Sequence, residues 1–211
     1  MNPKGPPLVD LDTAEPAPTR RGLIGMAGLA GAAAALLGAS RVAAVPARAP
    51  MIPDRPTESD RARLGAAMRL ELAARDLYAV STASLGGDEA VLARVVSENH
   101  EAYADAIAGV TGISADDRNN EVFDALVGDF DTSDGQAFAA AARTLENTAV
   151  ATHTELMASY DSIDSFELTA SIVAVEARHA AVFTSMAGFS SDLDEMLDPE
   201  ATALDTSGGA A

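Results

Sequence analysis

The chain contains no cysteine and no tryptophan. The first absence excludes disulfides, thiolate metal sites and thiol nucleophiles, and leaves the redox compartment open. Lysine is almost missing too: Lys4 is the only one, and every other base is arginine. Positive charge of any kind is scarce, with 14 bases against 32 acids and a formal net charge of −18. Beyond residue 50 the balance is steeper, 9 arginines against 29 acids, or −20. Nucleic acid and anionic lipid are bound through Lys and Arg clusters, so such a surface repels both. It attracts cations weakly and without choosing among them, and solubility or a salty habitat accounts for it. What the chain has in plenty is apolar residues, 48% of 211, enough for one domain with a core and additional segments.

Residues 1–19 are polar, rich in proline and without periodicity. Arg20 and Arg21 then precede an apolar, Gly/Ala-rich stretch from Gly22 to Ala39, followed by the small-residue sites Val42-Ala43-Ala44 and Ala47-Arg48-Ala49. A charged start, an apolar middle and a small-residue end make the plan of an export signal. The adjacent arginines resemble a twin-arginine signal, with Gly22-Leu23 in place of the usual Phe-Leu. That resemblance implies passage through the twin-arginine translocon as a folded protein, to the periplasm, cell wall or exterior. Cleavage is expected after Ala44, since Pro50 disfavours a cut after Ala49. A retained membrane anchor is the alternative, although the stretch is barely long enough to span and only weakly apolar. The expected division is therefore a signal at 1–49, a linker at 50–56, a folded domain at 57–188 and an acidic, loose tail at 189–211.

The rest of the chain is rich in alanine and poor in β-branched residues, and it reads as helices separated by turn signals. The first runs from Glu58 to Ser84 behind the cap Thr57. The second runs from after Asp88 to Val110, and a short helix follows near Glu121–Val127. The third starts after a capping pair, Ser133 and Gln136, and reaches Tyr160. The fourth opens with Asp164 and Glu167 in the same arrangement and ends near Gly188. A further short helix at Leu193–Leu197 is the alternative to a wholly loose tail. Short first and third connections imply two antiparallel hairpins, and about twenty residues join them. The expected class is all-α: an antiparallel four-helix bundle with a long crossover between helices 2 and 3.

Polar residues interrupt the apolar stripes of all four helices. In the first the stripe is Leu64, Ala67, Met68, Glu71, Ala74, Tyr78, Leu85; in the second Leu92, Val95, Val96, His100, Tyr103, Ile107, Val110. The third reads Ala139, Ala142, Glu146, Ala149, Val150, His153, Leu156, and the fourth Ile172, Val175, Glu176, His179, Val182, Phe183, Met186. Glu176 and His179, three apart, share one face. Helices one and two thus resemble three and four, an internal duplication of a hairpin. A lone buried carboxylate costs several kcal/mol or takes up a proton. Three near mid-helix make sense if a cation holds them together; pairs with Arg75 and Arg143 are the alternative for Glu71 and Glu146.

"LENTAVATHTELMASY" and "ASIVAVEARHAAVF" carry a family likeness. The chain resembles the ferritin-like superfamily, in particular exported bacterial ferritin-like domain proteins, over residues 57–188. That family places a Glu on each of two bundle helices and Glu-x-x-His on each of the other two. The resemblance implies metal ligands at Glu71, Glu146, Glu176 and His179. In the second helix His100 stands for the expected Glu and Tyr103 for the expected His. His100 joins the expected ligands, while Tyr78, Tyr103 and His153 are expected beside the site as hydrogen-bonding or packing partners. Iron or manganese, as one or two ions, suits such oxygen-rich sites with histidine, and zinc suits a thinned one. A metal-free bundle that serves as a structural or interaction module is the competing reading. Enzyme activity is left open.

Overall fold

The structure is a computed structural model and describes residues 52–189, 193–197 and 201–205. The expected export signal lies outside the described residues, as do parts of the linker and tail. Among the described residues six helices follow in order: α1 Glu58–Ser84, α2 Gly87–Thr111, α3 Asn120–Phe130, α4 Gly135–Met157, α5 Ile163–Met186 and α6 Leu193–Leu197. No strand occurs among the described residues. The four long helices form the expected all-α bundle, with hairpins α1/α2 and α4/α5 and a crossover that carries α3. The hairpins meet along α1/α4 and α2/α5, and α3 rests on both α1 and α4. None of the described helices is long and apolar enough to cross a membrane.

Local chemistry fixes the helix ends. Thr57 and Asp60 cap α1 reciprocally, each side chain accepting from the other's backbone N–H at 3.1 Å. Buried Asp60 also accepts from the Asp161 N–H at 2.9 Å, which ties the start of α1 to the α4–α5 turn. Gly112, at φ 72°, ends α2 in the left-handed conformation that glycine adopts without a Cβ clash. The cap of α4 is Asp134 and not Ser133: its carboxylate accepts from Gln136 N at 2.9 Å and Ala137 N at 3.2 Å. Ser162 caps α5, so Asp164 falls inside the first turn. Residues assigned to a linker are engaged here, because the carbonyls of Pro53 and Asp54 accept from Ile163 N and Asp164 N. These are donors that a helix start leaves unpaired.

Two apolar clusters fill the bundle. One gathers Leu77, Tyr78, Phe130, Phe138 and Phe183 with the alanines of α1, α2 and α4. The other gathers Leu64, Met68, Leu72, Ile107, Leu156 and Ile172. The aromatic rings of the first interlock, with Tyr78 edge-on to Phe130 and Phe138 and stacked on Phe183 at 5.8 Å.

The buried faces of α2 and α5 are turned slightly from the expected stripes. Val95 and Val182 are 41% and 46% exposed, while Ala93, Ser97, Ala104, Ala180 and Thr184 face inward. Small residues at these positions let the helices approach closely, and Ser97 bonds across to the Arg75 carbonyl at 2.8 Å. The described part of the tail is seated on the bundle. Arg143 donates to the carbonyl and carboxylate of Glu195, and Leu204 packs against the first cluster with its N–H on Thr152 at 3.0 Å.

Candidate metal centre

Between the two apolar clusters lies a polar layer. On α1 Glu71 stands between Met68 of one cluster and Ala74 of the other; on α2 His100 stands between Val96 and Ala104. On α4 His153 falls between Ala149 and Leu156, and on α5 Glu176 falls between Ile172 and Phe183. Helical periodicity that carries the apolar residues inward carries these four inward as well. Glu146 enters the same layer from two turns earlier on α4, and His179 from one turn later on α5. The chain has 3 histidines in all, and every one of them is here.

The side chains form an alternating row of imidazoles and carboxylates across all four long helices. His179 Nδ1 lies 3.3 Å from Glu146 Oε2, and Glu146 Oε1 lies 3.2 Å from His100 Nε2. His100 Nδ1 donates to Glu71 Oε2 at 2.6 Å, and His153 Nε2 donates to Glu71 Oε1 at 2.6 Å. His153 Nε2 is also 3.3 Å from Glu176 Oε1, without the alignment of a hydrogen bond. Tyr78 donates to Glu146 Oε1 at 2.5 Å. Glu71, His100, Glu146, His153 and Glu176 are all buried, and only the His179 side chain, 12% exposed, reaches toward solvent. There the Asn99 amide contacts its Nε2 at 3.2 Å.

Donor atoms fall into two groups able to surround a cation, His100 with Glu146 and His179, and Glu71 with His153 and Glu176; within each, the atoms lie within 4.8 Å of one another. All five residues named as ligands are thus brought together. His153, expected beside the site, stands in one of the groups. Tyr78 bonds Glu146, and Tyr103 packs edge-on against the His100 ring at 5.9 Å. The alternative arginine pairing does not occur for Glu71 and Glu146. Arg75 bonds Asp76, and Arg143 bonds Glu195.

The electrostatics of the layer are uneven. Burial raises the Glu71 carboxyl, but hydrogen bonds from His100 and His153 and their charges outweigh burial and hold it at about 2. Burial pushes His153 down, and the charges of Glu176 and Glu71 reverse this and lift it to about 10. His100 is likewise lifted well above its usual value, by Glu146 and Glu71 against burial. Glu176 stands apart. Burial dominates, the charges of Glu71 and Glu146 add to it, and His153 compensates only in part, so the carboxyl rises to about 7. Among the described residues neither of its oxygens has a hydrogen-bond partner, nor has His153 Nδ1. Buried polar atoms without partners are rare, and each costs about 1–3 kcal/mol.

A family model described as the ferritin-like domain matches residues 59–188. No curated protein and no solved structure matches the chain.

Chelator-treated protein has a pH signature in which Glu176 takes part together with its neighbour His153. A carboxyl lifted in the fold from 4.5 to about 7 stabilises below its unfolded value, and that contribution is lost as pH rises through 7. Urea melts of wild type and Glu176→Gln are therefore expected to coincide below pH 4.5 and to separate above it. At pH 8 the variant is expected to be the more stable, because the wild type must then carry a buried charge that the variant lacks. A constant difference across this range would refute the assignment.

Proposed function

Because the chain belongs to the ferritin-like domain family, we propose that it is an exported metal-binding bundle protein holding iron or manganese in the polar layer. The observation that carries this reading is the Glu176 carboxylate, fully buried, with no hydrogen-bond donor on either oxygen, and facing His153 and Glu71. A divalent cation satisfies such a group where the protein itself does not. The donor chemistry fits: carboxylate and imidazole without thiolate suit Fe and Mn. Glu71, Glu146, Glu176, His100 and His179 are the residues to hold it. A metal bound there would supply electron-transfer chemistry toward dioxygen or peroxide.

The chain's own groups prepare the place. Tyr78 fixes the Glu146 carboxylate by donating to it, and Glu71 fixes the His100 ring through Nδ1, which leaves Nε2 turned toward Glu146. Such outer partners set ring tautomer and ligand direction. Tyr78, Phe138 and Phe183 close the layer on one side against water. His179, the one partly exposed member, marks the side from which a cation arrives.

A metal-free bundle is the second reading, and one observation favours it. Glu71 is already satisfied by two 2.6 Å hydrogen bonds from histidines, which closes half of the layer as an ion network. Melting with and without metal separates the two. If the layer holds a cation, Mn(II) or Fe(II) at 100 times its Kd stabilises the wild type by about 2.7 kcal/mol by mass action, and Glu176→Ala abolishes the gain. If the layer is metal-free, neither ion moves the melting temperature, and Glu176→Ala raises it by removing a buried charge.

Export rests on Arg20-Arg21 and the apolar stretch after them. Replacing both arginines by lysine is expected to retain the protein in the cytoplasm, checked by fractionation and by mass spectrometry of its N-terminus. Wild type outside the membrane beginning at Val45 is the expected counterpart. Equal export of the variant contradicts a twin-arginine route.

A further inference from the structure

We propose that His153 is itself a metal ligand, and that the polar layer contains two unlike cation sites. His100, His179 and Glu146 make a nitrogen-rich site at the solvent side; Glu71, Glu176 and His153 make an oxygen-rich one, wholly buried. The proposal rests on the metal-binding reading above and deepens it.

The first support is position. His153 lies at the step between the two apolar clusters, at the level of Glu71, His100 and Glu176. It is there because α4 runs antiparallel to α1: contacts 71 with 153 and 78 with 146 are two rungs of one ladder. The second support is what α2 leaves out. That helix brings a single imidazole to the layer, His100, and both of its nitrogens already face Glu71 and Glu146. Tyr103, one turn on, is only half-buried and offers a phenol, lifted by burial and the nearby carboxylates to about 12. Without His153 the Glu71 and Glu176 side of the layer therefore has two like charges and only His100 Nδ1, already bonded to Glu71, as a nitrogen.

The third support is the failure of a purely structural role. His153 Nε2 carries one N–H, which serves Glu71 at 2.6 Å and leaves Glu176, at 3.3 Å, unserved. Three buried polar atoms remain without partners, Nδ1 of His153 and both oxygens of Glu176. A cation held among Nε2 and the two carboxylates would engage both Glu176 and Glu71, with the Nε2 proton released to solvent and the remaining imidazole proton on Nδ1. Neutralisation follows the same division. The solvent-side site places one carboxylate on a dication and the buried site places two, so the buried site is the one matched in charge. Hard, oxygen-preferring Mn(II) is expected to favour it, and the solvent-side site favours ions with greater affinity for nitrogen, such as Co(II).

The probe is Co(II), followed by its visible absorption and by equilibrium dialysis of the full mature chain. Wild type is expected to bind two ions per chain, one for each donor group. His153→Gln keeps an N–H toward Glu71 but is a poor ligand. It is expected to retain the helical circular dichroism, to keep the solvent-side ion, and to weaken the buried one by more than roughly 100-fold, beyond the 10–100-fold that loss of an outer partner costs. His179→Gln gives the reverse pattern. Wild type that takes up no metal overturns the metal-binding reading and this proposal with it. A His153→Gln variant that binds metal as wild type does, in count and affinity, overturns this proposal alone. A readout without any variant guards against misfolding: proton NMR of the Co(II) form is expected to show three hyperfine-shifted imidazole N–H signals, and two such signals with His153 unshifted contradict its ligation.

Discussion

Three carboxylates buried at one level of the bundle are the constraint on which the rest of the structure depends. Glu71, Glu146 and Glu176 are each at most 1% exposed. Removing a carboxylate from water costs several kcal/mol even after relaxation, and three together repel one another. Among the described residues no arginine is paired with them, and the two within a helical turn or so, Arg75 and Arg143, are engaged with Asp76 and Glu195. Compensation falls to histidine, and the chain commits its whole complement of 3 to this layer. Two imidazolium groups offset two carboxylates, Glu71 and Glu146, and leave Glu176 in deficit. That deficit gives the layer a use for a cation.

The surrounding architecture keeps the deficit from being repaired cheaply. The polar layer lies between two apolar clusters, and the interlocked rings of Tyr78, Phe130, Phe138 and Phe183 make one of its walls. His179, beside Asn99, is the partly exposed end of the row, and Glu176 is at its wholly buried end. Alanines along the α1/α2 and α4/α5 hairpins bring the helix axes close enough for short side chains on all four to meet. Close approach and charge burial are thus one design: a looser bundle would hydrate the carboxylates and lose the reason for a metal. Capping at Thr57, Asp60, Asp134 and Ser162 holds the helix starts in register, and register decides which residues share the layer.

Much of this was legible in the sequence. Helical period and turn signals located the four long helices, and α1 agrees with its expected bounds to the residue. The charged interruptions of the apolar stripes identified Glu71, His100, Glu146, Glu176 and His179 as interior. Three features were not legible, each for a physical reason. Which of several adjacent Ser and Asp residues caps a helix depends on where the chain arrives from, so Asp134 and Ser162 were misplaced by one or two positions. The inward faces of α2 and α5 use Ala93, Ala104 and Ala180 and leave Val95 and Val182 at the rim. Large apolar residues mark a face only approximately where close packing favours small ones. Last, His153 was expected only beside the site, as a hydrogen-bonding or packing partner. Its place opposite Glu71 is a property of the antiparallel pairing of α1 with α4, which no local pattern encodes.

The account turns on whether a cation sits among these side chains. Anomalous diffraction from crystals of the mature chain grown with Mn(II) tests this most directly. The account predicts an anomalous peak within coordination distance, about 2.0–2.3 Å, of Glu176, Glu71 and His153 Nε2. A layer without anomalous density, with Glu176 hydrogen-bonded to a buried water or to a shifted histidine, would contradict it.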